Sequence, residues 1–117
     1  MAKKAETVFK ERVVRDLKSI PNIWFLKTQE VVRRGTPDLL LCVNGRFVAI
    51  ELKAVGGIVS ALQQWNLESI ADCNGIGLIT WPDNWKETKD LLKKLARGED
   101  GLFEEKDPEN IGLVVKH

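Results

Sequence analysis

The stretch Pro37-Asp38-Leu39-Leu40-Leu41-Cys42-Val43-Asn44-Gly45-Arg46-Phe47-Val48-Ala49-Ile50-Glu51-Leu52-Lys53 decides how this chain reads. Asn-Gly between two apolar, β-rich runs is the strongest short-range hairpin signal. With Asn44 and Gly45 as the central turn residues, Val43 faces Arg46 and Leu41 faces Val48. The same register puts Asp38 opposite Glu51, with Cβ atoms ~4.5–5.5 Å apart. Strand alternation adds Lys53 to that face, two residues beyond Glu51.

One face of the hairpin then carries Asp38, Leu40, Cys42, Phe47, Ala49, Glu51 and Lys53. The other carries Leu39, Leu41, Val43, Arg46, Val48, Ile50 and Leu52. Both are mainly apolar, which predicts a central hairpin covered on both sides. Two like charges at the edge of such a core are unfavourable unless something neutralises them. A divalent cation does so, and paired carboxylates with backbone carbonyls and waters suit Mg²⁺ or Mn²⁺. Such an ion supports phosphoryl chemistry, and a neighbouring lysine can orient water or offset charge on a phosphate. The bare spacing of the three charged residues is loose, and surface charges produce it readily. The register and the apolar setting make it informative.

Outward from the hairpin, residues 5–19 read as a helix with Phe9, Val13, Leu17 and Ile20 as its apolar stripe, ended by Pro21-Asn22. Ile23 to Lys27 reads as a strand, 29–37 as a polar loop, and 38–53 as the hairpin. A Gly-Gly loop over 55–59 leads to a helix over 60–73, closed by Asn74-Gly75. A strand over 76–80 follows, then a helix opened by Pro82-Asp83-Asn84 and running to Ala96. The order α-β-β-β-α-β-α predicts an α/β domain with one mixed sheet and helices on both faces. The second hairpin strand, helix 60–73 and strand 76–80 form a β-α-β unit, expected to be right-handed. From Arg97 the chain turns polar, and Ile111 to Val115 is expected as an edge strand or a partner contact.

The chain has 117 residues, 44% apolar and 30% charged, and reads as one soluble domain over 1–117, with its core at about 5–97 and a polar tail at 98–117. No apolar run reaches the ~20 residues that span a bilayer. Met1 to Glu6 leads into an amphipathic segment, which is no signal-peptide pattern. Two cysteines and one histidine exclude a four-ligand zinc site, and Cys42 and Cys73 are expected as buried thiols in a reducing compartment. The net charge of +1 argues against a general DNA coater, although a local cluster can dominate.

The flanks of the hairpin carry a resemblance. Arg33-Arg34-Gly35-Thr36-Pro37-Asp38-Leu39-Leu40, then Asn44-Gly45 through Lys53, then Ser60-Ala61-Leu62-Gln63, resembles the virus-type replication-repair nuclease family of the PD-(D/E)XK nuclease superfamily, over roughly residues 6 to 80. The resemblance implies a restriction-endonuclease-like core and a Mg²⁺- or Mn²⁺-dependent DNA endonuclease. It implies Asp38 and Glu51 as metal ligands with the Leu52 carbonyl added, and Lys53 as the catalytic lysine. Small stand-alone members are similar in layout to Holliday-junction resolvases. That implies branched DNA as substrate, a homodimer with one site per chain, and a phage or prophage protein in the bacterial cytoplasm. The glycine-lysine stretch common before the Ser-x-Leu-Gln segment is here Val55-Gly56-Gly57-Ile58-Val59, without the lysine.

Secondary candidates keep two readings each. Glu6 falls on the Phe9–Val13–Leu17 stripe. The family places a metal-contacting glutamate on this helix; Glu6 fits better than Glu11, and a first-turn acid favoured by the helix dipole is the alternative. Ser60-x-x-Gln63 is a capping box, while the resemblance puts Gln63 beside the metal. Lys27, Arg33 and Arg34 either meet phosphates or are solvated loop charges. Among Trp24, Trp65, Trp81 and Trp85, core positions are the general expectation, with Trp81 the best candidate for stacking on a base. Two rivals to the nuclease reading are a catalytically silent DNA-binding or assembly module and a nuclease subunit that needs a protein partner.

Overall fold

The computed structural model describes residues 4–29 and 33–99, and the backbone of strand 113–115. Helix α1 (Ala5–Lys18) is followed by strands β1 (Ile23–Lys27), β2 (Leu39–Val43) and β3 (Arg46–Leu52). Helix α2 (Ala61–Asp72), strand β4 (Ile76–Thr80), helix α3 (Trp85–Ala96) and strand β5 (Leu113–Val115) complete the chain. The strands lie in sequence order in one sheet, antiparallel except for β3 and β4. This is the α/β, mixed-sheet order that the sequence predicts, with α2 as the crossover between parallel β3 and β4 and Leu113–Val115 as the edge strand. The rest of the expected tail, including Ile111, lies outside the described residues.

The hairpin register is the expected one: Val43 pairs with Arg46, Leu41 with Val48 and Leu39 with Ile50. Asn44 and Gly45 have φ of 47° and 86°. Two successive positive values are what a type I′ turn demands, one of the two turn types whose twist matches a two-residue hairpin.

Leu39, Leu41, Val43, Val48, Ile50 and Leu78 point to one side of the sheet and are buried under α1 and α3. Phe9, Val13 and Leu17 bring α1 down onto that layer, and Trp85, Leu92 and Leu95 bring α3. The two helices are joined by the Trp85 Nε1 donor to Asp16 Oδ2 at 2.8 Å and by Lys89 at 3.6 Å from the same carboxylate. On the other side Ala49, Leu67 and Ile79 form a smaller cluster under α2.

Here the structure corrects an expectation. The second side of the hairpin is only partly covered, because α2 packs on β3, β4 and β5. A helix is ~10–12 Å across with its side chains and strands are ~4.8 Å apart, so one helix shields little more than two strands. Trp24, Leu26 and Phe47 are therefore exposed on this side. Cys42, between Trp24 and Phe47 in the same rung, is exposed as well, and so is Cys73 at the end of α2. Neither is the buried thiol expected. The tryptophans are also redistributed: Trp85 is fully buried, Trp81 is half-buried with its Nε1 on the Gly57 carbonyl at 3.2 Å, and Trp24 and Trp65 are the exposed pair.

Close approach of α2 depends on Gly77. A Cβ there would lie 2.8 Å from the Leu67 carbonyl oxygen and 3.2 Å from the Leu67 Cβ. Gly77→Ala must lift the helix, and overpacking of this kind costs about 1–3 kcal/mol. Urea denaturation should show that loss. A variant as stable as the parent would mean that α2 does not bear on β4 as described.

Candidate active site

Asp38 owes its place to the way the hairpin ladder ends. The next pair beyond Leu39–Ile50 on that side of the ladder would join Pro37 to Leu52, but proline has no amide hydrogen to give. The Pro37 carbonyl is taken by the Thr28 hydroxyl at 2.6 Å, and the Thr28 amide donates to the Asp38 carbonyl at 3.0 Å. The Leu52 amide is left facing the gap, and Asp38 Oδ2 accepts from it at 2.8 Å. The register and this bond together bring the Asp38 carboxylate beside Glu51.

Glu51 is 3% exposed, and its neighbours fix only one of its oxygens. Oε2 accepts from Gln63 Nε2 at 2.7 Å and lies 3.3 Å from Lys53 Nζ. Oε1 is buried and finds no donor among the described residues. Burial raises the Glu51 pKa, the negative charge of Asp38 raises it further, and Lys53 pulls it partly back, leaving it at about 7. Asp38 can also accept a hydrogen bond from Glu51 in its protonated form, which favours that form.

The capping-box reading of Gln63 holds, and the same side chain also reaches Glu51. Its amide donates to Ser60 Oγ at 3.1 Å and its Oε1 accepts from the Ser60 amide at 2.9 Å, which is the capping box. Its Nε2 remains free to hold Glu51. A residue in the first turn of a helix that meets the sheet edge can serve both purposes.

Lys10, on α1, is a partner of Asp38 in the cleft that sequence reasoning missed. Its Nζ lies 3.1 Å from Asp38 Oδ1 and 3.6 Å from Glu6 Oε1. Partial burial works against its charge, yet the Asp38 carboxylate outweighs that and raises the Lys10 pKa above the ordinary lysine value. The one available signal was position, one residue after the buried Phe9 and one turn after Glu6.

These side chains line an open cleft of about 920 Å³ between α1, the β2–β3 end and α2. Glu6, Glu11 and Lys27 line it too. Glu6 is exposed and paired with Lys10, since the first turn of α1 lies over the cleft and not over the sheet. Arg33 is elsewhere: its guanidinium donates to Asn66 Oδ1 at 2.9 Å, against α2. Arg34 is exposed in the same loop and is not among the cleft-lining residues.

A hard divalent cation fits the donors present. Mg²⁺ is commonly held by one or two carboxylates with waters and substrate oxygens, and the orphaned Glu51 Oε1 is a buried acceptor without a partner. Asp38 and Glu51 would hold the ion. Among the described residues no three Asp, Glu, His or Cys side chains converge, so Glu6 is not part of a preassembled ligand set. Leu52 lines the cleft, and its amide is already engaged by Asp38.

No family model, no curated protein and no solved structure matches this chain.

The raised Glu51 pKa has a signed consequence for stability. A carboxyl whose folded pKa exceeds its unfolded value stabilises the fold below the unfolded pKa, and that contribution is lost as pH rises through the folded one. The window runs from 4.5 to about 7, and the loss across it is at most about 3 kcal/mol. Without added metal, Glu51→Gln should therefore gain on the parent in urea denaturation as pH rises from about 5 to about 8. A difference that stays constant over that range would show that Glu51 titrates normally.

Proposed function

We propose that this chain is a metal-dependent DNA endonuclease of the PD-(D/E)XK kind, related to the virus-type replication-repair nucleases and built on a restriction-endonuclease-like core. The observation that carries the reading is the meeting of Asp38, Glu51 and Lys53 in one cleft, with a buried Glu51 oxygen left without a donor. Lys10, Arg15, Lys18, Lys27 and Lys53 line that cleft together with the acids Glu6, Glu11, Asp38 and Glu51, so cations stand beside the carboxylates where a phosphate would enter.

A bound Mg²⁺ or Mn²⁺ would supply Lewis acidity at the scissile phosphate. The residues do the rest. Asp38 is held by the Leu52 amide and Glu51 by Gln63, so both carboxylates are aimed before any ligand arrives. Lys53, anchored at 3.3 Å from Glu51, positions the attacking water and offsets charge gathering on the phosphate oxygens. Gly57 fits against the Lys53 stem, where a Cβ would come within 3.2 Å of the Lys53 Cβ, and Trp81 pins the Gly57 carbonyl. The loop after β3 thus limits where the lysine can swing. One such site per chain, with symmetric scission of two strands, calls for a two-fold dimer acting on branched DNA.

One observation favours a second reading, a DNA-binding module without catalysis. Lys10 already neutralises Asp38, where a nuclease would need the carboxylate for the ion. Cleavage separates the two. A panel of single-stranded, duplex, flap, fork and four-way DNA with Mg²⁺ or Mn²⁺ should show cutting of branched substrates. Asp38→Asn and Glu51→Gln should abolish it, and Lys53→Ala should slow single-turnover cleavage by about a hundredfold or more while DNA affinity falls modestly. DNA binding with no cleavage of any substrate would establish the second reading, and undiminished cleavage by either acidic-site variant would remove the metal assignment.

A further inference from the structure

We propose that Lys10 is an exchangeable counter-ion: it leaves Asp38 when a divalent cation binds there and passes its charge to a DNA phosphate, so that ion and DNA bind cooperatively. The inference rests on the nuclease reading for its two ligands and adds the residue that couples them.

Both Asp38 oxygens are engaged within the chain. Oδ2 accepts from the Leu52 amide at 2.8 Å, and Oδ1 lies 3.1 Å from Lys10 Nζ. The amide belongs to the sheet and stays where it is. The ammonium sits on a flexible four-carbon stem, and the Lys10 side chain is 38% exposed against 13% for Asp38. Lys10 must therefore yield to any cation that draws on Asp38, because two positive charges on one oxygen repel each other. Glu51 brings no such conflict, since its Oε1 has no donor among the described residues.

The ammonium has somewhere to go. Glu6 Oε1 lies 3.6 Å from it, one turn back on the same helix. Glu6 is exposed, and a carboxylate in water holds a lysine only weakly. A phosphate entering the cleft is the stronger acceptor for a lysine ammonium. Lys53 is placed differently. Its Nζ is anchored on Glu51 at 3.3 Å, and Gly57 lies against its stem. One lysine is thus held and the other can move. Nor does α1 need Lys10 as a brace. Phe9, Val13 and Leu17 bury the helix in the core, and Asp16 joins it to Trp85. A half-exposed ion pair adds little to that anchorage.

Lys10→Met and Lys10→Gln remove the charge and keep good helix formers in place. Isothermal titration without DNA should show both variants binding Mn²⁺ roughly tenfold more tightly than the parent. Fluorescence anisotropy of a labelled four-way DNA, with Ca²⁺ as a hard oxygen-seeking ion and again with chelator, reads the second half of the exchange. With Ca²⁺ the variants should bind DNA roughly fivefold more weakly than the parent. Their dependence of log affinity on log salt should also be shallower by about 0.9, the loss of one phosphate contact. With chelator the salt slopes of parent and variants should coincide, because Asp38 then keeps the lysine. Equal Mn²⁺ affinity in parent and variants overturns the proposal. So does a difference in salt slope that is the same with and without the ion, which would mean that Lys10 meets DNA without being exchanged. So do slopes that coincide under both conditions, which would leave Lys10 as a brace. Cleavage by a parent whose ion and DNA binding ignore Lys10 would remove the exchange and leave the nuclease reading. Exchange in a protein that cuts no DNA would do the reverse.

Discussion

A single hydrogen bond, from the Leu52 amide to Asp38 Oδ2, closes the gap where the β2–β3 ladder stops, and the cleft depends on it. The ladder stops because Pro37 has no amide hydrogen and its carbonyl is already held by Thr28. A carboxylate thus replaces the carbonyl that would have met Leu52. This holds one acid at the end of the sheet, so less side-chain freedom is lost when a ligand binds. The second acid, Glu51, is fixed from the other direction by Gln63 at the start of α2. Two acids held from independent elements cannot easily separate, even though their charges repel.

That repulsion shapes the rest of the site. Lys10 stands at 3.1 Å from Asp38 and Lys53 at 3.3 Å from Glu51, so each acid has its own lysine. The arrangement still leaves Glu51 strained, because burial and Asp38 outweigh Lys53 and hold its pKa near 7. A buried acceptor without a donor destabilises a fold by about 1–3 kcal/mol. Functional sites are where a protein tolerates such a penalty, and a cation between the acids would relieve it. The same arithmetic explains why Lys10 matters: whatever binds Asp38 must compete with a lysine that the acid already holds.

The parts of this structure legible in the sequence are those set by local chemistry. Asn44-Gly45 fixes the turn, the turn fixes the register, and the register places Asp38 near Glu51 without knowledge of any helix. Ser60 and Gln63 announce a helix start by their spacing alone. What escaped depends on how far each helix reaches across the sheet. Lys10 enters the cleft only because α1 crosses over the β2–β3 end, and Glu6 stays exposed because the same helix begins beyond the sheet. The apolar rung of Trp24, Cys42 and Phe47 has the composition of a covered face. Nothing in its own residues tells that α2 lies two strands away.

The uneven helix layers tie the two ends of the molecule together. α1 and α3 share one side of the sheet, and Asp16 clamps them through Trp85 and Lys89. That side is closed, which lets α1 carry Lys10 to Asp38. Among the described residues the other side has α2 alone, and its width cannot span the sheet. Its N-terminal turn serves the cleft through Gln63, while its outer flank leaves β1 and β2 bare. Shifting α2 toward β1 would cover the bare strands but would withdraw Gln63 from Glu51 and uncover Ile79. Holding the buried acid and leaving an apolar surface open are therefore two consequences of one helix position, and Gly77, which lets α2 press onto β4, fixes that position for both.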